Sequence, residues 1–221
     1  MVAAAGDGTR LGADAPKALI ELDGTPLVVH AVRRIREAGV PVVVVVAHPD
    51  HVAATRTHVE GMADAVVPGG ATRSASVRNG LRSLPDDVTV VVVHDAARAL
   101  TPAAVIAATV AAVTGDVVAA APGLAVTDTL KRLTSSGTLQ TVDRDGLVAI
   151  QTPQVIVREV LDRAHEAAPD ASDDLGLVEE LIVDGAVAGR IVITEGSPLA
   201  MKITYEQDLH VAAALLHMDT P

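Results

Sequence analysis

The chain has no cysteine, no phenylalanine and no tryptophan, and Tyr205 is its one tyrosine. Each absence removes a class of chemistry. Without cysteine there is no disulfide, no thiolate nucleophile and no thiolate metal ligand, which suits a reducing compartment. Without aromatic rings the stacking platforms of single-strand binders are missing. The core must also be assembled from Val, Ala, Leu and Ile, since aromatic side chains ordinarily bury roughly 150–250 Å² each. Positive charge is scarce: 17 Lys and Arg against 28 Asp and Glu leave a net charge of −11, which argues against a nucleic-acid partner. Long apolar runs are lacking as well. The longest, "VPVVVVVA" at 40–47, falls far short of the roughly 20 residues a membrane-spanning helix needs. The N-terminus shows no charged stretch followed by a long apolar one, so no secretory leader is expected and a cytoplasmic location is.

What the chain does have is alternation. "VPVVVVVA" (40–47), "VTVVVVHD" (88–95), "DVVAAAP" (116–122) and "RIVIT" (190–194) read as strands buried on both faces, as in a parallel sheet. Helical patterns lie between them. Thr72 precedes Val77, Leu81 and Leu84 at helical spacing. Thr101 and Pro102 open "AAVIAATVAAV", which Gly115 closes, and Thr204 with Gln207 forms a capping-box pattern before the last helix. Strand–helix alternation of this kind implies an α/β layered domain. With 221 residues, no linker and no internal repeat, one domain spanning 1–221 is expected. The rhythm breaks once, at about 124–149, where two polar-alternating strands flank "SSG". A hairpin inserted in such a domain reads as a protruding β-arm.

In open α/β sheets, ligands bind beyond the carboxyl ends of the strands. That rule singles out "AAAGDGTRLGADAPK" (3–17), "PGGATRSAS" (68–76), "HDAAR" (94–98) and the stretch leading to Lys202. The first is a glycine loop with two cations, which points to phosphate. It is not a P-loop, because no Gly-Lys-Ser/Thr follows, and Gly6, Gly8 and Gly12 are wrongly spaced for a dinucleotide fingerprint. Gly6 and Gly8 let backbone N–H groups approach phosphate oxygens, with Arg10 and Lys17 in reach of the same phosphate chain. Asp7 is expected to face solvent or repel the ligand. Asp95 ends the most apolar strand, where it can hold a ribose hydroxyl or help organise a metal. Ser74 and Ser76 open a helix beside a second glycine pair. His48 and His51 lack a third metal ligand, and Asp173-Asp174 reads as a solvated face or helix N-terminal charge. Neither a Gly-x-Ser-x-Gly elbow nor a thiol is present, so covalent acyl chemistry has no candidate.

These segments resemble a known family. "AAAGDGTRL…PK" is similar to the signature by which nucleotidyltransferases bind a nucleoside triphosphate. "VHDAAR" (93–98), "DTLK" (128–131), "TVDRDGL" (141–147), "QTPQ" (151–154) and "MKIT" (201–204) follow in the order and spacing of the 2-C-methyl-D-erythritol 4-phosphate cytidylyltransferases of the non-mevalonate isoprenoid pathway. The resemblance spans essentially the whole chain. It implies a three-layer Rossmann-like nucleotidyltransferase fold with a mostly parallel sheet. It also implies a homodimer in which each β-arm hooks the other subunit, and a reaction of CTP with the polyol phosphate that gives the CDP-alcohol and pyrophosphate. Carried over by motif, Arg10 and Lys17 stabilise the transition state. Lys202 and Arg144, the latter from the partner's arm, position the substrate phosphate. Ala4, Ala5, Gly6, Gly8, Gly70 and Ser76 surround the nucleotide, with Asp95 and Ala96 near its ribose, while Arg98 and Thr129 line the second substrate's site. The implied cofactor is Mg²⁺, held mainly by the CTP phosphates, with Asp95 as the one candidate protein ligand. Ala71 and Leu199 depart from acidic residues common in the family. Two other readings stay open on sequence: a ribitol 5-phosphate cytidylyltransferase and a catalytically inactive nucleotide-binding homologue.

Overall fold

The structure, a computed structural model, describes residues 1–8, 16–167, 171 and 173–218. Runs of β-branched residues pack well on a pleated surface, and every valine-rich run is a strand. The first half of the chain carries β1 (Val2–Ala4), a small β2–β3 ribbon (Glu21–Leu22 and Thr25–Pro26), α1 (Leu27–Glu37), β4 (Val44–Ala47), α2 (Val52–His58), β5 (Ala65–Pro68), α3 (Arg73–Leu81), β6 (Val90–Asp95) and α4 (Ala103–Ala112). The second half adds β7 (Val117–Ala125), β8 (Lys131–Leu133), β9 (Leu139–Thr141), β10 (Val148–Ile150), β11 (Gln154–Val157), α5 (Arg158–Ala167), α6 (Asp174–Val183), β12 (Arg190–Glu195) and α7 (Glu206–Met218).

The main sheet runs β7–β11–β6–β1–β4–β5, with β10 and β12 both paired to β7. Strands β1, β4, β5 and β6 are parallel to one another, as are β7 and β12; β10 and β11 run against them. The sheet is therefore mostly parallel. Alternate residues of β4 serve opposite faces, as the two-residue strand period requires. Val44 and Val46 join α3, α5 and α6 through Val77, Leu81, Leu161 and Val178. Val45 and Ala47 join α1 and α4 through Val28, Val32 and Ile106. Helices on both faces of the sheet make three layers. Small residues close the space that aromatic rings would fill. Ala119, Ala120 and Ala121 are fully buried in β7. A Cβ on Gly80 would stand 2.8 Å from Val46 Cγ2, so α3 rests almost backbone-on-strand.

Strand β7 continues past the sheet's core into the arm, where β10 pairs with its last residues. Beyond that root, β8 and β9 form an antiparallel hairpin of their own, with all six residues exposed. Two cap readings need correction. Thr101 does not cap α4: its buried hydroxyl donates to Arg98 O at 2.9 Å, and Pro102 precedes the helix with no side-chain cap. The Thr204–Gln207 capping box does not form either. The Asp208 carboxylate accepts the N–H groups of Thr204 and Tyr205 at 2.7 and 2.8 Å, a charge-assisted arrangement stronger than a neutral hydroxyl offers.

Candidate active site

The carboxyl ends of β1, β4, β5 and β6 open on one cavity of about 650 Å³. From β1 come Ala4, Ala5, Gly6 and Gly8. Gly8 has φ of 72°, and a Cβ there would meet Lys17 N at 2.9 Å, so glycine is needed twice over: for the left-handed backbone and for the close approach. Lys17 N donates to Gly6 O at 3.2 Å, which closes the loop and brings the lysine to the cavity wall. The second glycine pair follows β5. Gly69 N donates to Ala47 O at 2.7 Å, and a Cβ on Gly69 would lie 2.5 Å from Ala5 Cβ, so the two loops lie in contact. Thr72 caps α3 through Ala75 N. Ser76 Oγ accepts from Gly70 N at 3.0 Å and donates to Thr72 O at 2.9 Å, which fixes Gly70 and Ser76 at the cavity.

From β6 come Asp95 and Ala96. Lys202 reaches the same wall from the segment after the short turn Pro198–Ala200, and its Nζ lies 2.8 Å from Asp95 Oδ2. Burial works to raise the Asp95 carboxyl, but the charges of Lys202 and Arg73 outweigh it and hold the group below its ordinary value. Beneath Asp95, the His94 ring is fully buried and burial pushes its pKa down to about 4. Thr152 Oγ1 bridges the two residues, 3.1 Å from His94 Nδ1 and accepting from Asp95 N at 3.0 Å. The adjoining glutamines of "QTPQ" are structural. Gln151 exchanges two hydrogen bonds with Ser197, and Gln154 accepts from the N–H groups of Asp174 and Leu175.

The remaining sequence candidates lie elsewhere. Arg10 falls outside the described residues. Arg144 and Thr129 are exposed on the arm, and Arg144 Nη1 donates to Thr127 O. Arg98 does not line the cavity; it donates to the Ala200 and Ile150 carbonyls. Asp7 faces solvent as expected, its side chain 71% exposed, and it also has a partner: His48 Nε2 lies 3.1 Å from its Oδ1 and both line the cavity. Asp174 is not a solvated charge. Its side chain is 0% exposed, 2.7 Å from Arg73 Nη2 and 3.0 Å from His165 Nε2. Burial raises the Asp174 carboxyl, yet the His165 hydrogen bond and the Arg73 charge more than compensate and hold it below the usual range. Arg73 itself lines the cavity. One signal for it was present in the sequence: a cation at the first position of a helix sits against the macrodipole, so it needs a partner of its own.

Among the described residues no cluster of three His, Cys, Asp or Glu side chains is arranged to hold a metal. Among the described residues the carboxylates at the cavity wall are Asp7, beside His48, and Asp95, beside Lys202, and so sparse a donor set fits a divalent ion that arrives already bound to phosphate oxygens rather than one caged by the protein.

Comparison with known proteins matches residues 1–218 to the family model of IspD, 2-C-methyl-D-erythritol 4-phosphate cytidylyltransferase. An enzyme of that name from Saccharopolyspora erythraea is 44% identical, the alignment covering 98% of this chain and 97% of that protein. A bifunctional IspD/IspF enzyme from Clavibacter michiganensis is also 44% identical over 99% of this chain, which spans 54% of its length. The crystal structure of the Thermus thermophilus cytidylyltransferase superposes with a TM-score of 0.80 at 30% identity, covering 98% of this chain and 97% of that one.

Proposed function

Because the chain belongs to the 2-C-methyl-D-erythritol 4-phosphate cytidylyltransferase family, we propose that its cavity joins CTP to 2-C-methyl-D-erythritol 4-phosphate, giving the CDP-alcohol and pyrophosphate. The observation that carries this reading is the convergence of the glycine loop, Lys17, the Gly70–Ser76 loop and the Asp95–Lys202 pair on one cavity. The nucleotide lies along Ala4, Ala5, Gly6, Gly8, Gly70 and Ser76, with its ribose toward Asp95 and Ala96. The relatives named above act on methylerythritol phosphate, so the ribitol reading is not favoured. Lys17, Asp95 and Lys202 standing at one cavity speak against an inactive homologue.

The nucleophile needs no base. A phosphate monoester loses its second proton near pH 6, so at neutral pH about nine-tenths of it is dianionic. The barrier is repulsion between anions: two unit charges at about 4 Å interact by about 4 kcal/mol at an effective dielectric of about 20. Fixed cations where negative charge gathers are therefore the catalytic machinery. An oxygen of the alcohol's phosphate attacks the α-phosphorus of CTP in line, the bond from that phosphorus to the bridging oxygen breaks and pyrophosphate leaves. Lys17 and Arg10 neutralise the charge that gathers at the α-phosphate, and Lys202 with Arg144 holds the phosphate of the alcohol. Thr129 and Arg98 belong to the alcohol's end of the site. Asp95 would be the residue to help hold Mg²⁺ on the triphosphate, and the ion, when bound, would neutralise part of the triphosphate's charge.

Arg144 sits on the arm, which fits a homodimer in which each arm completes the partner's cavity. The arm supports this with its surface. Leu133 and Leu139, cross-strand neighbours in the hairpin, are 69% and 68% exposed, an apolar pair that a second subunit would cover. Among the described residues no helix is long and apolar enough to cross a membrane, and the cysteine-free composition suits the cytoplasm. The test is pyrophosphate release with each of the four nucleoside triphosphates against a panel of polyol phosphates. Turnover confined to CTP and methylerythritol phosphate is expected. A preference for UTP, or for ribitol 5-phosphate, refutes the reading.

A further inference from the structure

Asp7 puts a carboxylate inside the loop that is to receive the phosphates. It stands between Gly6 and Gly8 and lines the cavity with them, and Gly8 lies against Lys17. A negative charge fixed at that point opposes a polyanion. The structure shows where the charge goes. His48, the first residue after β4, lines the same cavity, and its Nε2 lies 3.1 Å from Asp7 Oδ1. The histidine is held from its other edge as well. Its Nδ1 takes the backbone N–H of Asp50 at 3.3 Å, which caps the turn Pro49–His51. An N–H can only donate, so Nδ1 accepts, and a neutral imidazole that accepts there carries its proton on Nε2. The atom facing Asp7 is therefore a donor with its direction already set. His51 packs edge-on against the ring, with centroids 5.5 Å apart. The backbone behind it is anchored too, since β4 is buried throughout and Gly69 N donates to Ala47 O at 2.7 Å. The histidine side chain is 23% exposed and the carboxylate it holds is 71% exposed. Between the two, His48 is the anchored member.

We propose that His48 is a positioning residue that acts through Asp7, its Nε2–H holding the carboxylate at the β4 side of the cavity and off the path of the phosphate chain. The proposal rests on the cytidylyltransferase reading for the identity of the nucleotide. Its physical content is the placement of one negative charge beside a polyphosphate. Without the histidine, the Asp7 side chain is free to turn over the glycine loop, where it contests the backbone N–H groups and Lys17 with the incoming phosphates. The loss falls on binding rather than on the chemical step, because the triphosphate carries its charge in the ground state and the transition state alike.

Calorimetric titration of the full chain with CTP, CMP and inorganic tripolyphosphate decides it. His48→Ala should weaken CTP and tripolyphosphate by about fivefold at about 20 mM salt, and by less than about twofold at about 1 M, where the screening length is about 3 Å. CMP, with one phosphate, should lose less than about twofold at either salt. Asp7→Asn should bind both polyphosphates at least as tightly as wild type, and adding His48→Ala to it should change affinity by less than about 1.5-fold. His48→Gln keeps an N–H donor for the carboxylate and should recover most of the affinity. In steady-state pyrophosphate release, the His48→Ala loss should appear in the KM for CTP, with kcat within about twofold. CMP weakened as much as CTP would mean that His48 touches the nucleoside. A loss that persists in Asp7→Asn would mean that it acts without the carboxylate, and weaker binding by Asp7→Asn alone would mean that the carboxylate assists the ligand. Each of these overturns the proposal, as does unchanged binding by His48→Ala. Should His48→Ala fail to fold, Asp7→Asn and His48→Gln carry the test. Wild-type protein that takes up tripolyphosphate but not CTP sinks the cytidylyltransferase reading and leaves the role of His48 decided by the tripolyphosphate titrations; binding of neither sinks both.

Discussion

Asp174→Asn isolates the charge of a buried carboxylate while leaving its shape. The asparagine oxygen still accepts from His165, which lies 3.0 Å from Oδ1 in the wild type, but Arg73 loses the anion 2.7 Å from its Nη2. Breaking a buried ion pair from one side costs about 3–5 kcal/mol, because the surviving charge stays desolvated. Here the lower end applies: the Arg73 side chain is 26% exposed, and Asp95 also acts on its charge. A loss of about 3 kcal/mol is large against a total of about 5–15 kcal/mol. At a urea slope of about 2–3 kcal/mol per molar, the unfolding midpoint should fall by about 1–1.5 M. The sign with pH follows from the carboxyl being held below its ordinary value. Its contribution is complete above the unfolded pKa of about 3.9 and fades as pH falls through the lower folded value. The gap between wild type and variant should therefore be constant between about pH 5 and 8. Adding Arg73→Met removes the stranded cation and should recover most of the loss. A single variant within about 0.3 M of wild type, or a double variant as unstable as the two single losses summed, refutes the reasoning.

Other expectations follow from the same geometry. Lys17→Ala and Lys202→Met should each lower kcat by at least about 10²-fold, the scale of losing one fixed donor to developing charge, with steady-state pyrophosphate release as the assay. Stability should decline as pH falls from about 6.5 to about 4. The unfolded chain protonates His94 across that window and the folded chain does not, a difference of about 3 kcal/mol that urea titrations should show and His94→Asn should flatten. Leu133→Asp with Leu139→Asp should yield monomers by light scattering and abolish turnover. Mixing Arg144→Met with Lys17→Ala protein should restore part of the activity if arms are exchanged, since one cavity in a mixed pair is then whole.

The strands were legible because unbroken valine runs have few alternatives in a chain without aromatics, and the topological rule for parallel sheets then brought Lys17, Ser76, Asp95 and Lys202 to one place. Side-chain direction was not legible. Asp173 and Asp174 are adjacent and chemically alike, yet one caps α6 through Gly176 N and the other turns inward to Arg73 and His165. Only tertiary packing separates them. Thr204 and Gln207 matched a capping pattern, but Asp208 was one residue further on with a full negative charge. Arg98 was placed by its motif, but its bonds to carbonyls 102 and 52 residues away were not legible, since local pattern carries no information over that distance.

Strand β7 pairs with β12 along its length, with β11 near its middle and with β10 near its end. The arm is thus a beam built into a wall rather than a flap on a hinge. Load applied at its tip passes into the ladder from 117 to 125. Such a beam sets reach and angle with little play, so an insertion of two residues at the turn near Ser136 leaves the geometry at its base intact, while a single insertion between Gly123 and Ala125 re-aims everything beyond.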